Sequence, residues 1–250
     1  MSAPGSSWRP RVVFPAAVAA LLAALAGGCG GHDDGPLTVV AASSLTEVFE
    51  ELAPDVRFEF AGSDELATQI REGVRADVYA AASPKYPDEL LADGLVEEPA
   101  IFATNRLVII VPRENPAGIE SVADLEREGT RLVIGDVGVP IGDYTRTVLE
   151  KLGEEDVAAG AVSLEQDVKG VVGKVALGEA DAGFVYASDV KSVANLVHVI
   201  ELPVAAKTEV LYPVAIVVDT AHRDEAQRFV DLLFSEQGRA ALERHGFGVP

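Results

Sequence analysis

Cysteine is almost absent from this 250-residue chain, and basic residues are few. Cys29 is the single cysteine, so no intramolecular disulfide can form even where an oxidising compartment would allow one. A structural zinc site built on a Cys pair is excluded for the same reason. Lysine and arginine together number 20 against 40 aspartates and glutamates, a formal net charge of -20. That balance argues against nucleic acid and anionic membrane surfaces as partners. His32, His198, His222 and His245 are scattered without metal-ligand spacing. No Gly-x-Ser-x-Gly elbow is present. Gly170-Val-Val-Gly-Lys174-Val175 falls short of a phosphate loop, because Val168 stands where the first glycine belongs and Val175 where Ser or Thr belongs. Repeats, low-complexity tracts and coiled-coil heptads are also missing.

The longest apolar run, Val12 to Ala26, is shorter than the roughly 20 residues a membrane span needs and contains Pro15. Arg9 and Arg11 precede it and Gly27-Gly28-Cys29 closes it, which predicts a signal peptide over residues 1–29. Leu25-Ala-Gly-Gly before Cys29 resembles the lipobox of bacterial lipoproteins, although the usual leucine three places before the cysteine is Ala26. Two acyl chains on Cys29 would suffice for stable anchoring; an ordinary cleaved signal is the alternative. Residues 30–36 read as a polar tether, and the remaining length allows one or two domains.

From Leu37 strands and helices alternate, which predicts an α/β fold with mixed, mostly parallel sheets. Strands are expected at Leu37 to Ala41, Val56 to Phe60, Asp77 to Ala81, Leu132 to Gly135 and Ala182 to Tyr186. Leu45, Val48, Phe49 and Leu52 share one helix face, as do Leu66, Ile70 and Val74, and later Val168, Val171, Val172 and Val175. Further helices are expected at Pro84 to Asp93, Ser121 to Glu128, Tyr144 to Leu152, Arg223 to Phe234 and Gln237 to Arg244. The apolar runs Leu107 to Val111 and Val214 to Val218 bracket a separate α/β cycle. The chain therefore reads as two lobes, 37–112 with 213–250 and 113–212, and the cleft between them is the natural ligand site.

Ser44 and Ser63 each stand where a strand gives way to a helix. Ser44-Leu-Thr-Glu47 has capping-box spacing, so a plain helix start accounts for it. Gly62 before Ser63 serves equally as turn chemistry or as room for a ligand to approach the backbone. The functional reading is that several helix N-termini, each carrying roughly half a positive charge, converge on one cleft and bind a dianion without any lysine or arginine. Val139-Pro-Ile-Gly142 and Asp167-Val168 would join the two serines. Lys85, Arg106 and Lys169 compete as anion ligands with a solvated surface role, and Asp136 and Asp143 read as turn and cap residues rather than an acid/base pair.

Five blocks then match a family in order and spacing: Ala42-Ser-Ser-Leu-Thr-Glu47, Phe60-Ala-Gly-Ser-Asp-Glu-Leu-Ala-Thr-Gln-Ile70, Gly135-Asp-Val-Gly-Val-Pro-Ile-Gly-Asp-Tyr144, Glu165-Gln-Asp-Val-Lys-Gly170 and Gly183-Phe-Val-Tyr-Ala-Ser-Asp189. From Leu37 to Gly248 the chain resembles the molybdate-binding proteins of bacterial ABC importers, of the type II periplasmic-binding-protein fold. The resemblance implies capture of molybdate and tungstate by the hydroxyls of Ser44 and Ser63, the amides of Ile141 and Val168 and the phenol of Tyr186. It further implies a monomer working with an ABC permease, held to the membrane through its lipid anchor, with no enzymatic activity, no cation-binding residues and no cofactor besides the bound anion. Asp64-Glu65 departs from the small hydroxyl residues common in relatives, so Asp64 must turn away from a dianion. A binder of sulfate or phosphate, a lipoprotein hydrolase using Ser44 or Ser63, and a surface scaffold are the other readings; a phosphate binder would want Asp64 facing inward.

Overall fold

The computed structural model describes residues 35–250. The expected signal peptide and Cys29 lie outside the described residues, as does most of the tether. The first region runs β1 (Thr38–Ala42), α1 (Thr46–Leu52), β2 (Arg57–Ala61), α2 (Ser63–Arg71), β3 (Val78–Ala80) and α3 (Lys85–Ala92). A 13-residue strand, β4 (Ala100–Pro112), leads to the second region. That region holds β5 (Leu132–Gly135), α4 (Pro140–Leu152), α5 (Glu155–Ala159), β6 (Ser163–Glu165), α6 (Val168–Ala176), β7 (Ala182–Tyr186) and β8 (Val197–Ile200). β9 (Glu209–Ile216), α7 (Arg223–Phe234) and α8 (Glu236–Arg244) complete the chain.

The strands follow the order β2-β1-β3-β9-β4-β7-β5-β6, with β8 against β4. Pairing is parallel within each end of the sheet, where β1 joins β2 and β3, and β5 joins β6 and β7. It is antiparallel around β4 and β9. β4 serves both ends: residues 100–106 pair with β9 and residues 107–112 with β7 and β8. Its continuous apolar run is what a strand buried on both faces requires, and Val108, Ile109, Ile110 and Val111 are fully buried.

Packing explains the helices. Leu45, Val48, Phe49 and Leu52 turn inward, as their spacing predicts. Phe49 packs edge-on against Phe229 of α7 at 5.3 Å and meets Phe58 of β2 at 5.8 Å, a geometry that suits the charge distribution of aromatic rings. Three local expectations change. Val74 is 45% exposed rather than inward, because α2 ends at Arg71 and the chain turns at Gly73. The expected Ser121 to Glu128 helix is a 3-10 turn, Val122–Glu126; Ser121 and Asp124 cap it and Arg127 leaves helical geometry. α4 begins four residues earlier than its apolar face indicates, with Pro140 at the first helical position, where its missing N–H costs nothing. Short β6, β8 and α5 had no periodic signal long enough to read.

Candidate functional site

A small cavity lies where the two regions meet. Its first wall is Ala42, Ser43 and Ser44 at the end of β1, Ala61, Gly62 and Ser63 around the start of α2, and Ala82 after β3. Its second wall is Val139, Pro140 and Ile141 at the start of α4, Asp167 and Val168 at the start of α6, and Tyr186 at the end of β7. All five residues expected to hold an anion, Ser44, Ser63, Ile141, Val168 and Tyr186, therefore line one cavity.

Neither serine caps a helix. Ser44 sits in a 3-10 turn, Ser43–Leu45, and its Oγ lies 2.9 Å from the Tyr212 hydroxyl. Glu47, which the capping box required to reach back, is bonded to Lys169 instead. Ser63 is the first residue of α2 behind Gly62, and its Oγ accepts from the Ala82 amide at 3.0 Å. Tyr79 Oη donates to the Ser63 carbonyl at 2.6 Å and fixes the backbone there. Because Ser63 Oγ is already an acceptor from behind, its own proton is left to donate forward. Ser44 is equivalent when Tyr212 is the donor.

The second wall offers backbone. Ile141 and Val168 lie in the first turns of α4 and α6, whose amides have no partner inside the helix. A side chain at Gly142 would collide with the carbonyl oxygens of Gly135 and Asp136, so glycine there lets α4 begin hard against β5 and places the Ile141 amide. Asp167 is the one acid on the cavity, and its Oδ1 is occupied by the Gly170 amide at 2.9 Å as a helix cap. Tyr186 is 2% exposed, and its hydroxyl has no hydrogen-bond partner among the described residues. Burial pushes the phenols of Tyr186 and Tyr212 well above their ordinary range, so both stay protonated donors at neutral pH. The two rings pack edge to face at 6.0 Å, and Asn105 supports Tyr212 from behind.

The other candidates lie elsewhere. Lys85 bonds the Tyr86 hydroxyl and stands 3.6 Å from Asp143; Arg106 pairs with Glu201; Lys169 pairs with Glu47. None lines the cavity. Asp136 and Asp143 accept from the Val137 and Gly138 amides, which is turn chemistry. Lys174, the would-be phosphate-loop lysine, sits late in α6 and binds Ser163 and Glu165. Asp64 does not line the cavity; its Oδ1 is buried against Gly62 without a hydrogen bond, and burial raises its carboxyl above the ordinary range.

Sequence reasoning missed Tyr212, the Ala82 amide and Asp189. Tyr212 lies just before the apolar run Val214 to Val218, and a partnership spanning 168 positions leaves no local pattern. Asp189 is fully buried within the Val-Tyr-Ala-Ser-Asp block; burial lifts its carboxyl to about 7 against the opposing pull of Lys169. Among the described residues no cluster of His, Cys, Asp and Glu could hold a metal ion, and no helix is long and apolar enough to cross a membrane.

A family of bacterial extracellular solute-binding proteins matches residues 37–248. The molybdate-binding protein ModA of Mycobacterium tuberculosis is 38% identical over 224 residues, covering 86% of this chain and 85% of that protein. The Escherichia coli molybdate-binding protein ModA is 32% identical over 92% of this chain and 95% of its own length. Among solved structures, the periplasmic molybdate-binding protein of Azotobacter vinelandii superposes with a TM-score of 0.76, covering 86% of this chain and 99% of that one. At 22% identity that likeness establishes the fold, a periplasmic-binding-protein architecture.

Proposed function

The chain belongs to the bacterial extracellular solute-binding proteins, and from that premise we propose that it captures molybdate, and tungstate with it, for delivery to an ABC importer. The observation that carries the reading is the donor set: a small cavity whose donors are hydroxyls and helix-start amides, with no lysine or arginine on its lining. A protein with net charge -20 has no long-range field to offer an anion, so binding must come from preorganised neutral donors in a site of low dielectric. Donors without an acceptor select a fully deprotonated tetrahedral oxyanion. Phosphate keeps a proton at neutral pH and needs an acceptor; Asp64 is outside the lining, and Asp167, the one carboxylate on it, is turned to the Gly170 amide through Oδ1 as a helix cap.

The anion docks on the Ser44 and Ser63 hydroxyls of the first wall. Hinge closure between the lobes then brings the Ile141 and Val168 amides and the Tyr186 hydroxyl over it, a shift of population toward the closed state. The protein works outside the cytoplasm, held there by acylated Cys29, as a monomer that presents its cargo to the permease's transmembrane subunit. Cys29→Ala would release it from the membrane. It acts as a carrier rather than an enzyme: no histidine lines the cavity, and both serine oxygens are engaged by Tyr212 and Ala82 rather than by a base.

Calorimetric titration of the purified protein with molybdate, tungstate and sulfate tests the reading. Tight binding of the first two, with sulfate, the smaller anion, weaker, is the expected outcome. No heat with any of the three would overturn it, and preference for sulfate would reassign the cargo.

A further inference from the structure

The two walls are bridged by a lysine that two acids compete for. Lys169, the residue after Val168 on α6, donates to both oxygens of Glu47 on α1, at 2.7 and 2.9 Å. Glu47 belongs to the first region and its side chain is 41% exposed. The same ammonium stands 3.3 Å from Oδ1 of Asp189, whose side chain is entirely buried. Yet no well-aligned hydrogen bond from the described residues reaches either Asp189 oxygen, although the Lys169 ammonium and the Tyr186 amide both stand near. Asp189 lies three residues beyond Tyr186 and on the same side of the cleft as Lys169. Tyr212, Glu47 and the Tyr186 amide are the other groups that face it.

This allocation is the reverse of what a settled ion pair would show. A buried carboxylate left short of hydrogen bonds is costly, and more so than an exposed one. The half-exposed acid nonetheless holds both bonds. The strained allocation makes sense if the walls are together here and Lys169 reaches across at the expense of its buried neighbour.

We propose that Lys169 is an exchangeable clasp, bonded to Glu47 while the walls are closed and handed to Asp189 when they part. Glu47 thereby favours retention of the anion and Asp189 favours its release, so the two states stay close enough in free energy for the cargo to decide between them. Glu47 and Asp189 are positioning residues; neither lines the anion cavity. The inference rests on the two-walled capture of an oxyanion described above.

Opposite signs test it. With sodium molybdate as the probe, Glu47→Gln is expected to raise Kd about 3- to 10-fold, mainly through faster release in a tungstate chase, because removing one side of a charge pair acts on dissociation. Asp189→Asn is expected to lower Kd by a comparable factor, since it removes the open-state partner and the buried charge together. If both variants weaken binding, Asp189 is structural and the exchange is wrong. Release within twofold of wild type in Glu47→Gln overturns the clasp outright, and that variant decides the matter alone should Asp189→Asn fail to fold. If the wild-type protein binds no anion, the cargo assignment has failed and not the clasp. Small-angle scattering then decides, with Glu47→Gln expected to have a larger radius of gyration than wild type and an unchanged value overturning the proposal.

Discussion

The two walls of the cavity solve the same problem with different material. On the first wall each donor is backed from behind, Ser44 by Tyr212 and Ser63 by the Ala82 amide, and Tyr79 donates to the Ser63 carbonyl to hold the backbone. On the second wall the donors are helix-start amides and a tyrosine hydroxyl without a partner among the described residues. A prebuilt wall orients an incoming anion at little reorganisation cost, whereas donors that wait unbonded gain most when the anion arrives. On the proposed function the contrast would give docking to the first wall and retention to the second, and the two are separable by experiment.

Preventing the walls from meeting should have the largest effect. A Cβ on Gly62 would stand 2.5 Å from the Gln166 carbonyl oxygen across the cleft and 2.7 Å from Asp64 Oδ1. Gly62→Val is expected to weaken molybdate binding by at least about 100-fold, because the clash with the opposite wall's backbone falls on closure, whereas the one with Asp64 is with a side chain of the same wall that can rotate away. Retained affinity in calorimetry would mean that the walls need not come this close.

Deleting one docking hydroxyl comes next. Hydrogen bonds to a charged partner contribute about 1.5–3 kcal/mol, so Ser44→Ala or Ser63→Ala is expected to raise Kd about 10- to 100-fold. Stopped-flow mixing should show slower capture as well as faster release, as befits the wall met first. An effect confined to release would erase the distinction between the walls.

How far the walls were legible in sequence follows from the range of their contacts. The amides of Ile141 and Val168 belong to helix starts, and helix starts are written locally in Val-Pro-Ile-Gly142 and Asp167-Val168. The alternation of β1, α1, β2, α2 and β3 was readable for the same reason, since apolar spacing is a local signal. What backs the serines was not: Tyr212 reaches Ser44 across 168 positions and Ala82 reaches Ser63 across 19. The capping-box spacing at Ser44 even suggested a local partner, Glu47, which the fold spends on Lys169. Long-range pairing also hid the full length of β4, because polar Thr104-Asn-Arg106 separates the apolar residues of its first half from the run Leu107–Val111, and a register shift against β9 breaks the alternation there.

On the second wall, Tyr186→Phe removes one donor and leaves the ring packed against Tyr212. A loss of about 10-fold in affinity is expected, carried by the release rate with capture unchanged. A matching fall in capture rate would place Tyr186 among the docking groups.

Tyr212→Phe should have the smallest effect and draws the comparison most finely. Tyr212 does not line the cavity; it bonds Ser44 at 2.9 Å and packs edge to face on Phe247 at 5.3 Å. Phenylalanine keeps those ring contacts and deletes only the hydroxyl that aims Ser44. Without that partner the serine hydroxyl is free to rotate, and orienting it again costs a fraction of a kcal/mol to about 1 kcal/mol, or roughly 2- to 5-fold in Kd. Because the deficit is one of aim, it should vanish once Ser44 is absent: Ser44→Ala with Tyr212→Phe is expected to bind no worse than Ser44→Ala alone. Additive losses in that cycle would show that Tyr212 acts on the anion through some route other than the serine, and the first wall would then owe less to its backing than its hydrogen bonds imply.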